Sequence, residues 1–231
     1  MTSADVLVEC HDAARTFGRG PAAVVAVHGA TCQVRAGDRI GVVGPSGSGK
    51  STLLHLLAGL ERPSGGRVSW PALGTGTGGS VPPHRIGVVF QGPSLIPALD
   101  VVENTALPLV LAGVREGEAQ RRARRALQEL GIADLALRLP EELSGGQAQR
   151  VAVARVLAQA PRLVLADEPT GQLDRATARH VIDVLLSAVD VIGAALVVTT
   201  HDRAVADRLA VRREMHEGRL LDPHGTQGAR P

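Results

Sequence analysis

A chain of 231 residues with 44% hydrophobic and 21% charged residues can form one substantial core with a subsidiary lobe, and two full domains would be cramped. The 25 Lys and Arg against 23 Asp and Glu leave a net charge of +2, and aromatics are 1% with tyrosine absent, so neither a strong basic field nor stacking platforms for single-stranded nucleic acid are on offer. Cys10 and Cys32 have neither metal-ligand spacing nor a dense disulfide pattern, and they read as small buried apolar groups in a reducing compartment.

The first residues lack a basic region and a long apolar run, so no secretory signal is expected. The most apolar late stretch, 191–198, is far short of the ~20 residues that span a bilayer, so work at a membrane would require a partner. In chain order, residues 6–10 and 23–34 are β-rich and interrupted by glycine and proline, as short antiparallel strands are. Arg39–Val43 reads as a buried strand and 51–58 as a leucine-rich helix. Residues 65–83, rich in Gly, Pro, Ser and Thr, read as a surface loop with little capacity to pack.

A further short strand is expected at 86–90, ending before Gln91. Pro93, Pro97 and Pro108 then punctuate a segment that becomes clearly helical at 117–130, where Ala119, Ala123, Ala126, Leu127 and Leu130 share one face. Arg121, Arg122, Arg124 and Arg125 take the remaining positions, a solvated face, and Gly131 stops the helix. A second helix starts near Ser144 and closes before Pro161; a strand at 163–166, a helix around 176–188 and a strand at 194–199 follow. Strands alternating with helices predict an α/β fold with largely parallel pairing, into which a helical lobe of about 92–160 is inserted. Residues 222–231 read as a frayed tail beyond a single unit of 1–221.

Between the strand and the helix, Gly44, Pro45, Ser46, Gly47, Ser48, Gly49, Lys50 and Ser51 complete the pattern G-x-x-x-x-G-K-[ST]. Glycines let successive backbone N–H groups turn inward around a polyanion, and the helix that starts there points its positive end at the same place. Lys50 is spaced to reach the β- and γ-phosphates, Ser51 to coordinate Mg²⁺, and Thr52 follows among the nucleotide-contacting residues. Downstream, the apolar run 163–166 delivers Asp167 and Glu168 at a strand end, where α/β sheets place ligands. Neighbouring strand residues face opposite ways, which suits two roles: Asp167 for the metal, Glu168 to orient and deprotonate the attacking water.

With Leu143-Ser144-Gly145-Gly146-Gln147 ahead of these carboxylates, Gln91 ahead of that, and His201 after a later strand, the order resembles the nucleotide-binding subunit of ATP-binding cassette (ABC) transporters over about residues 5–221. The resemblance implies a phosphate-loop NTPase core with a largely parallel sheet, an antiparallel β subdomain and an inserted α-helical subdomain. It implies that Ser144, Gly145, Gly146 and Gln147 form a signature turn acting in trans on ATP held by an opposite subunit. Gln91 would touch metal and water, Asp174 would sit in a loop crossing the dimer interface, His201 would contact the γ-phosphate, and Phe17 would stack on adenine. Read alone, Ser144 is equally a helix cap, His201 a strand-end histidine, Gln91 a surface amide and Phe17 a core residue.

The implied cofactors are ATP and Mg²⁺, and the implied partners a second copy or a homologous cassette and an integral membrane permease, with no nucleic acid. The implied place is the inner face of the cell membrane, reached through the permease. Residues 51–60 and the stretch after Gln91 are most similar to the lipoprotein-releasing and macrolide-export group, which suggests export. A soluble ABC-type ATPase acting on DNA or ribosomes is the alternative, although such proteins generally carry paired cassettes or long inserts. A phosphate-loop kinase would leave the signature sequence without purpose.

Overall fold

The two β-rich N-terminal segments form long strands, β1 (Val6–Phe17) and β2 (Val24–Arg35), paired antiparallel so that Glu9 faces Gln33 and Cys10 faces Cys32. The structure, a computed structural model, describes residues 5–74, 84–171 and 173–221. The expected tail at 222–231 and the 75–83 part of the expected loop lie outside them.

The remainder of that expected loop is structured. Gly65–Ser69 is a strand, β4, hydrogen-bonded to the free side of β1 in a three-stranded sheet ordered β2-β1-β4. Beyond it Trp70 Nε1 donates to the Leu57 carbonyl at 2.9 Å, and Leu73 is buried. The glycines that suggested a loop serve a close approach instead: Gly66 has φ +69°, and a Cβ there would lie 2.1 Å from the Asp12 carbonyl oxygen. Asp12 itself has φ +47° at a register shift of β1, so the two irregularities fit one another as a bulge does.

The second sheet is ordered β5-β6-β7-β3-β8-β9, comprising Ile86–Val89, Leu163–Asp167, Ala195–Thr200, Arg39–Val43, Val211–His216 and Arg219–Leu221. All its pairings are parallel except β8 with β9. Its central strands are apolar except at their ends because both faces are covered. Leu163 and Leu165 of β6 pack with Leu7 and with Leu53 of α1 (Lys50–Ala58), whereas Val164 and Ala166 pack with Val151 of α4 (Gly145–Leu157) and Ile182 of α5 (Arg175–Ile192). Each such leucine contributes about 1.5–3 kcal/mol by leaving water, and together they pin the ends of the strands where the phosphate loop and the carboxylates emerge.

The helical lobe contains one more helix than the prolines suggested. α2 (Val101–Leu111) runs through Pro108. A capping box starts it, with Glu103 N–H donating to Asp100 at 2.7 Å and Asp100 N–H to Glu103 at 2.9 Å. Burial of Val101, Val102, Ala106 and Leu109 offsets the roughly 3 kcal/mol that an interior proline costs. α3 (Glu116–Glu129) buries the expected alanine face, while Arg121 and Arg122 pair with Glu118 and Arg125 with Glu129 in water, as a solvated face does. A short helix α6 (Arg203–Ala206) follows β7. Among the described residues no helix is long and apolar enough to cross a membrane.

Candidate functional site

At the end of β3 the chain turns through 44–49 into α1, and two glycines there admit no side chain. A Cβ on Gly44 would lie 2.1 Å from the Met215 carbonyl oxygen, and one on Gly49, whose φ is +98°, would lie 2.2 Å from that of Ala26. The loop is thus pressed against β2 and β8, as a backbone that must turn tightly around a ligand is. Lys50 is buried and folds back over the loop, donating to the carbonyls of Gly44 and Pro45 at 3.0 Å each. The buried Ser48 hydroxyl has no hydrogen-bond partner among the described residues.

Parallel pairing of β6 with β7 and of β7 with β3 brings the carboxylates alongside. Asp167 Oδ1 accepts from Ser51 Oγ at 2.9 Å and from Thr199 Oγ1 at 2.6 Å. Glu168 faces the other way. Its Oε1 is 3.3 Å from Lys50 Nζ and its Oε2 is 2.9 Å from His201 Nδ1, while its N–H donates to the Thr199 carbonyl at 3.0 Å. Glu168 holds φ at +41°, a region that a side-chain-bearing residue enters only when its surroundings compel it, and such strain gathers at functional sites. An added Cβ on Gly171 would lie 3.3 Å from Glu168 Oε2 and 3.4 Å from Gln91 Nε2, so this glycine leaves space between the two side chains.

These groups surround a cleft of about 480 Å³ lined by Ser46, Gly47, Gly49, Lys50, Ser51, Thr52, Gln91 and Glu168. Val24, Val25, Ala26 and His28 of β2 and the Glu217–Gly218 turn close its other side. A larger hollow of about 660 Å³ lies between α5 and α6, but it is lined by Arg175, Arg179, Arg203 and their neighbours and includes no phosphate-loop residue. The chemistry therefore belongs to the smaller cleft. Ser51, Asp167 and Gln91 supply hard oxygen donors, the set that suits Mg²⁺, an ion that also keeps waters and takes phosphate oxygens.

Other expected site residues lie outside this cleft. Phe17 is half-exposed at the end of β1 opposite Val24, with the Arg15 guanidinium 4.6 Å over its ring and Arg15 paired to Glu61 at 2.7 Å. Phe17 is therefore adjacent to the cleft wall, not part of it. Ser144 caps α4, its Oγ accepting from Gln147 N–H at 3.3 Å and its N–H donating to Gln147 at 2.8 Å. Gly145 and Gly146 pack against the start of α5: a Cβ on Gly146 would lie 2.4 Å from Thr177 Cγ2. Asp174 caps α5, accepting from Thr177 Oγ1 at 2.6 Å and from the Ala176 and Thr177 N–H groups; the Thr177 hydroxyl foremost holds its carboxyl below the usual range. The phosphate loop, Gln91, Asp167, Glu168 and His201 thus form one cluster, and the signature turn with Asp174 a second.

Sequence reasoning passed over the residues that hold these in place. Thr199 braces the Asp167 carboxylate and the Glu168 backbone N–H, and its signal was a hydroxyl at the buried end of an apolar strand. Gln149 and Arg155 of α4 tether the loop bearing Gln91, through the carbonyls of Phe90 at 3.2 Å, Ser94 at 2.8 Å and Pro93 at 3.0 Å. Gln149 stands out only as a buried amide on an otherwise apolar face.

Residues 27–171 match the family described as ABC transporter. The lipoprotein-releasing system ATP-binding protein LolD of Legionella pneumophila (strain Paris) is 38% identical over 221 residues, 94% of this chain and 97% of that protein. LolD of Nitrobacter hamburgensis is 40% identical over 223 residues, covering 94% and 95%. In structure, the dimeric ATP-binding cassette MJ0796 in a post-hydrolysis state bound to ADP and Pi aligns with a TM-score of 0.82 and 31% identity over 95% of this chain and 100% of that one. The cassette cbiO1 of Clostridium perfringens, part of the ABC transporter complex cbiONQ, aligns with a TM-score of 0.81 and 27% identity over 94% and 87%. The family match runs from β2 to the glycine beside Glu168, so it takes in the phosphate loop, Gln91, the signature turn and both carboxylates, and with relatives of this identity along nearly its whole length the chain belongs to the ABC transporter family.

Proposed function

We propose that this chain hydrolyses ATP as the ATP-binding subunit of an ABC transporter, enclosing each ATP between the phosphate loop of one copy and the signature turn of a second, and so drives a separate membrane permease. The observation that carries this reading is the division of the site. Lys50, Ser51, Glu168 and Gln91 line one cleft, and Ser144 stands outside it at the N-terminus of its own helix. A helix N-terminus carries unpaired N–H groups and the positive end of its dipole, so α4 is equipped for an anion that its own copy does not present to it.

In this reading the N–H groups of 44–51 cradle the phosphates, and Lys50 exchanges the carbonyls of Gly44 and Pro45 for phosphate oxygens. Ser51, Asp167 and Gln91 would hold Mg²⁺, which would supply positive charge against the phosphate oxygens. Glu168 accepts the proton of the attacking water and His201 steadies the carboxylate through Nδ1. Phosphoryl transfer to water then gives ADP and phosphate, and loss of the γ-phosphate removes the charge that bridges the two copies.

Phe17 takes the adenine edge of the site, reached along the cleft wall from Val24. Residues 1–221 form the nucleotide-binding unit, with the helical subdomain about 92–160 turned to the permease and the assembly held on the inner face of the membrane by it. The relatives named for lipoprotein release favour an exporting system.

The test uses the Glu168→Gln chain, in which hydrolysis is arrested. With ATP and Mg²⁺ it should elute as a dimer in size-exclusion chromatography, and without ATP as a monomer. Adding Ser144→Arg should abolish the dimer while leaving ATP bound to each monomer. A Glu168→Gln chain that binds ATP and stays monomeric would refute the shared site.

A further inference from the structure

Cys10 and Cys32, far apart in the chain, are set directly opposite one another by the register of β1 against β2. Directly opposed residues of antiparallel strands have Cα atoms roughly 4.5–5.5 Å apart. That lies inside the span of about 4.4–6.8 Å between Cα atoms that a disulfide bridges. A hydrogen bond between the two thiols, with burial as the second cause, pushes the Cys10 thiol far above its ordinary range. Both side chains are buried, Cys10 at 1% and Cys32 at 8% exposure, beneath a hollow of about 460 Å³ lined also by His11, Thr31, Gln33 and Arg213. This hollow shares no lining residue with the nucleotide cleft.

We propose that Cys10 and Cys32 are a redox modification site, closing to an intramolecular disulfide when the protein meets a peroxide small enough to enter that hollow. Cys32, the more exposed of the two, reacts first: its sulfur bonds to one peroxide oxygen, the O–O bond breaks, and the other oxygen leaves as water. The Cys10 sulfur then displaces the oxygen from the resulting sulfenic acid as a second water, forming the S–S bond. Peroxide is reduced to two waters, the pair of thiols is oxidised, and the thiol protons end in water. With the resolving thiol on the directly opposite strand position, capture of the sulfenic acid outruns its further oxidation. The staple falls beside the bulge at Asp12, where Thr31 Oγ1 accepts from the Asp12 N–H at 3.0 Å, and it joins β1 to β2, the strand that closes one side of the nucleotide cleft.

The experiment treats the full chain with a small excess of hydrogen peroxide and maps its peptides without reduction. The expected result is a single cross-linked peptide pair joining Cys10 to Cys32, a mass lower by two hydrogens at that pair, reversal by dithiothreitol, and a melting temperature higher by about 5–10 °C in the oxidised form. Cys10→Ser and Cys32→Ser chains should show no such rise on treatment, and the peptide map of the unaltered chain decides the matter if either folds poorly. Recovery of both cysteines unlinked, as sulfinic or sulfonic acids, as disulfides between chains, or as unreacted thiols, would overturn the proposal.

Discussion

Glu168 carries three contradictory demands, and its geometry shows how they are met. As the proposed general base it must be free to accept a proton, aimed at water and kept from acting before ATP arrives. A backbone φ of +41° turns it out of the strand, while Lys50 and His201 occupy its two oxygens. Lys50 lies on both sides of the exchange, since it also answers the carbonyls that close the loop. In the proposed mechanism ATP binding would free the base by drawing Lys50 away, so that substrate entry and activation of the water become one event. Substituting Glu168 by Gln retains the shape and removes the proton acceptor. The expected outcome is unchanged ATP binding with turnover lower by roughly two to four orders of magnitude, read as steady-state phosphate release beside equilibrium nucleotide binding. Undiminished release would remove Glu168 from the role.

At the scale of elements, α4 connects the two halves of the site within one copy. Ser144 begins it, and further along the same helix Gln149 and Arg155 hold the 90–94 loop by its carbonyls. In the proposed dimer, a tilt of α4 on meeting a nucleotide at its N-terminus would be passed to Gln91 through these hydrogen bonds. Replacing Arg155 with Leu keeps much of the buried stem and removes two of these tethers. ATP affinity should stay within about twofold of the unaltered chain. Turnover should fall roughly tenfold or more, because small misplacements of a water-orienting group are costly, and amide exchange across 91–95 should quicken. Equal turnover with faster exchange would show that the loop can wander without consequence. The same scale explains α2, whose caps and buried apolar side chains prevail over Pro108, and β4, whose glycines serve a bulge.

For the whole molecule, the sheet order places β6 between β5 and β7 and β7 beside β3, so segments distant in sequence converge on one edge. Binding at that edge is linked to global stability, since the unfolded chain has no such cleft. At a hundredfold excess over the dissociation constant, ATP with Mg²⁺ should raise the stability of the Glu168→Gln chain by about 2.7 kcal/mol, or roughly 5–10 °C in melting temperature. Adding Lys50→Met should remove most of that rise, measured by scanning calorimetry. An equal rise in both chains would place the nucleotide elsewhere.

Read from one end to the other, the chain by itself determined the features that neighbouring residues decide. The glycines of 44–49 can only close a tight loop, the apolar run 163–166 can only be a buried strand, and the alanine face of α3 follows from helical period. The signature residues were legible too, because five consecutive positions carry them. What the tertiary structure alone decided are the meetings across long separations: Ser51 with Asp167, Glu168 with His201, Gln149 with the Phe90 carbonyl, and Cys10 with Cys32. Strand register and sheet order set these contacts, and both arise from burial summed over many side chains at once. Local sequence encodes which way a backbone turns; which distant partner waits there is a property of the packed whole.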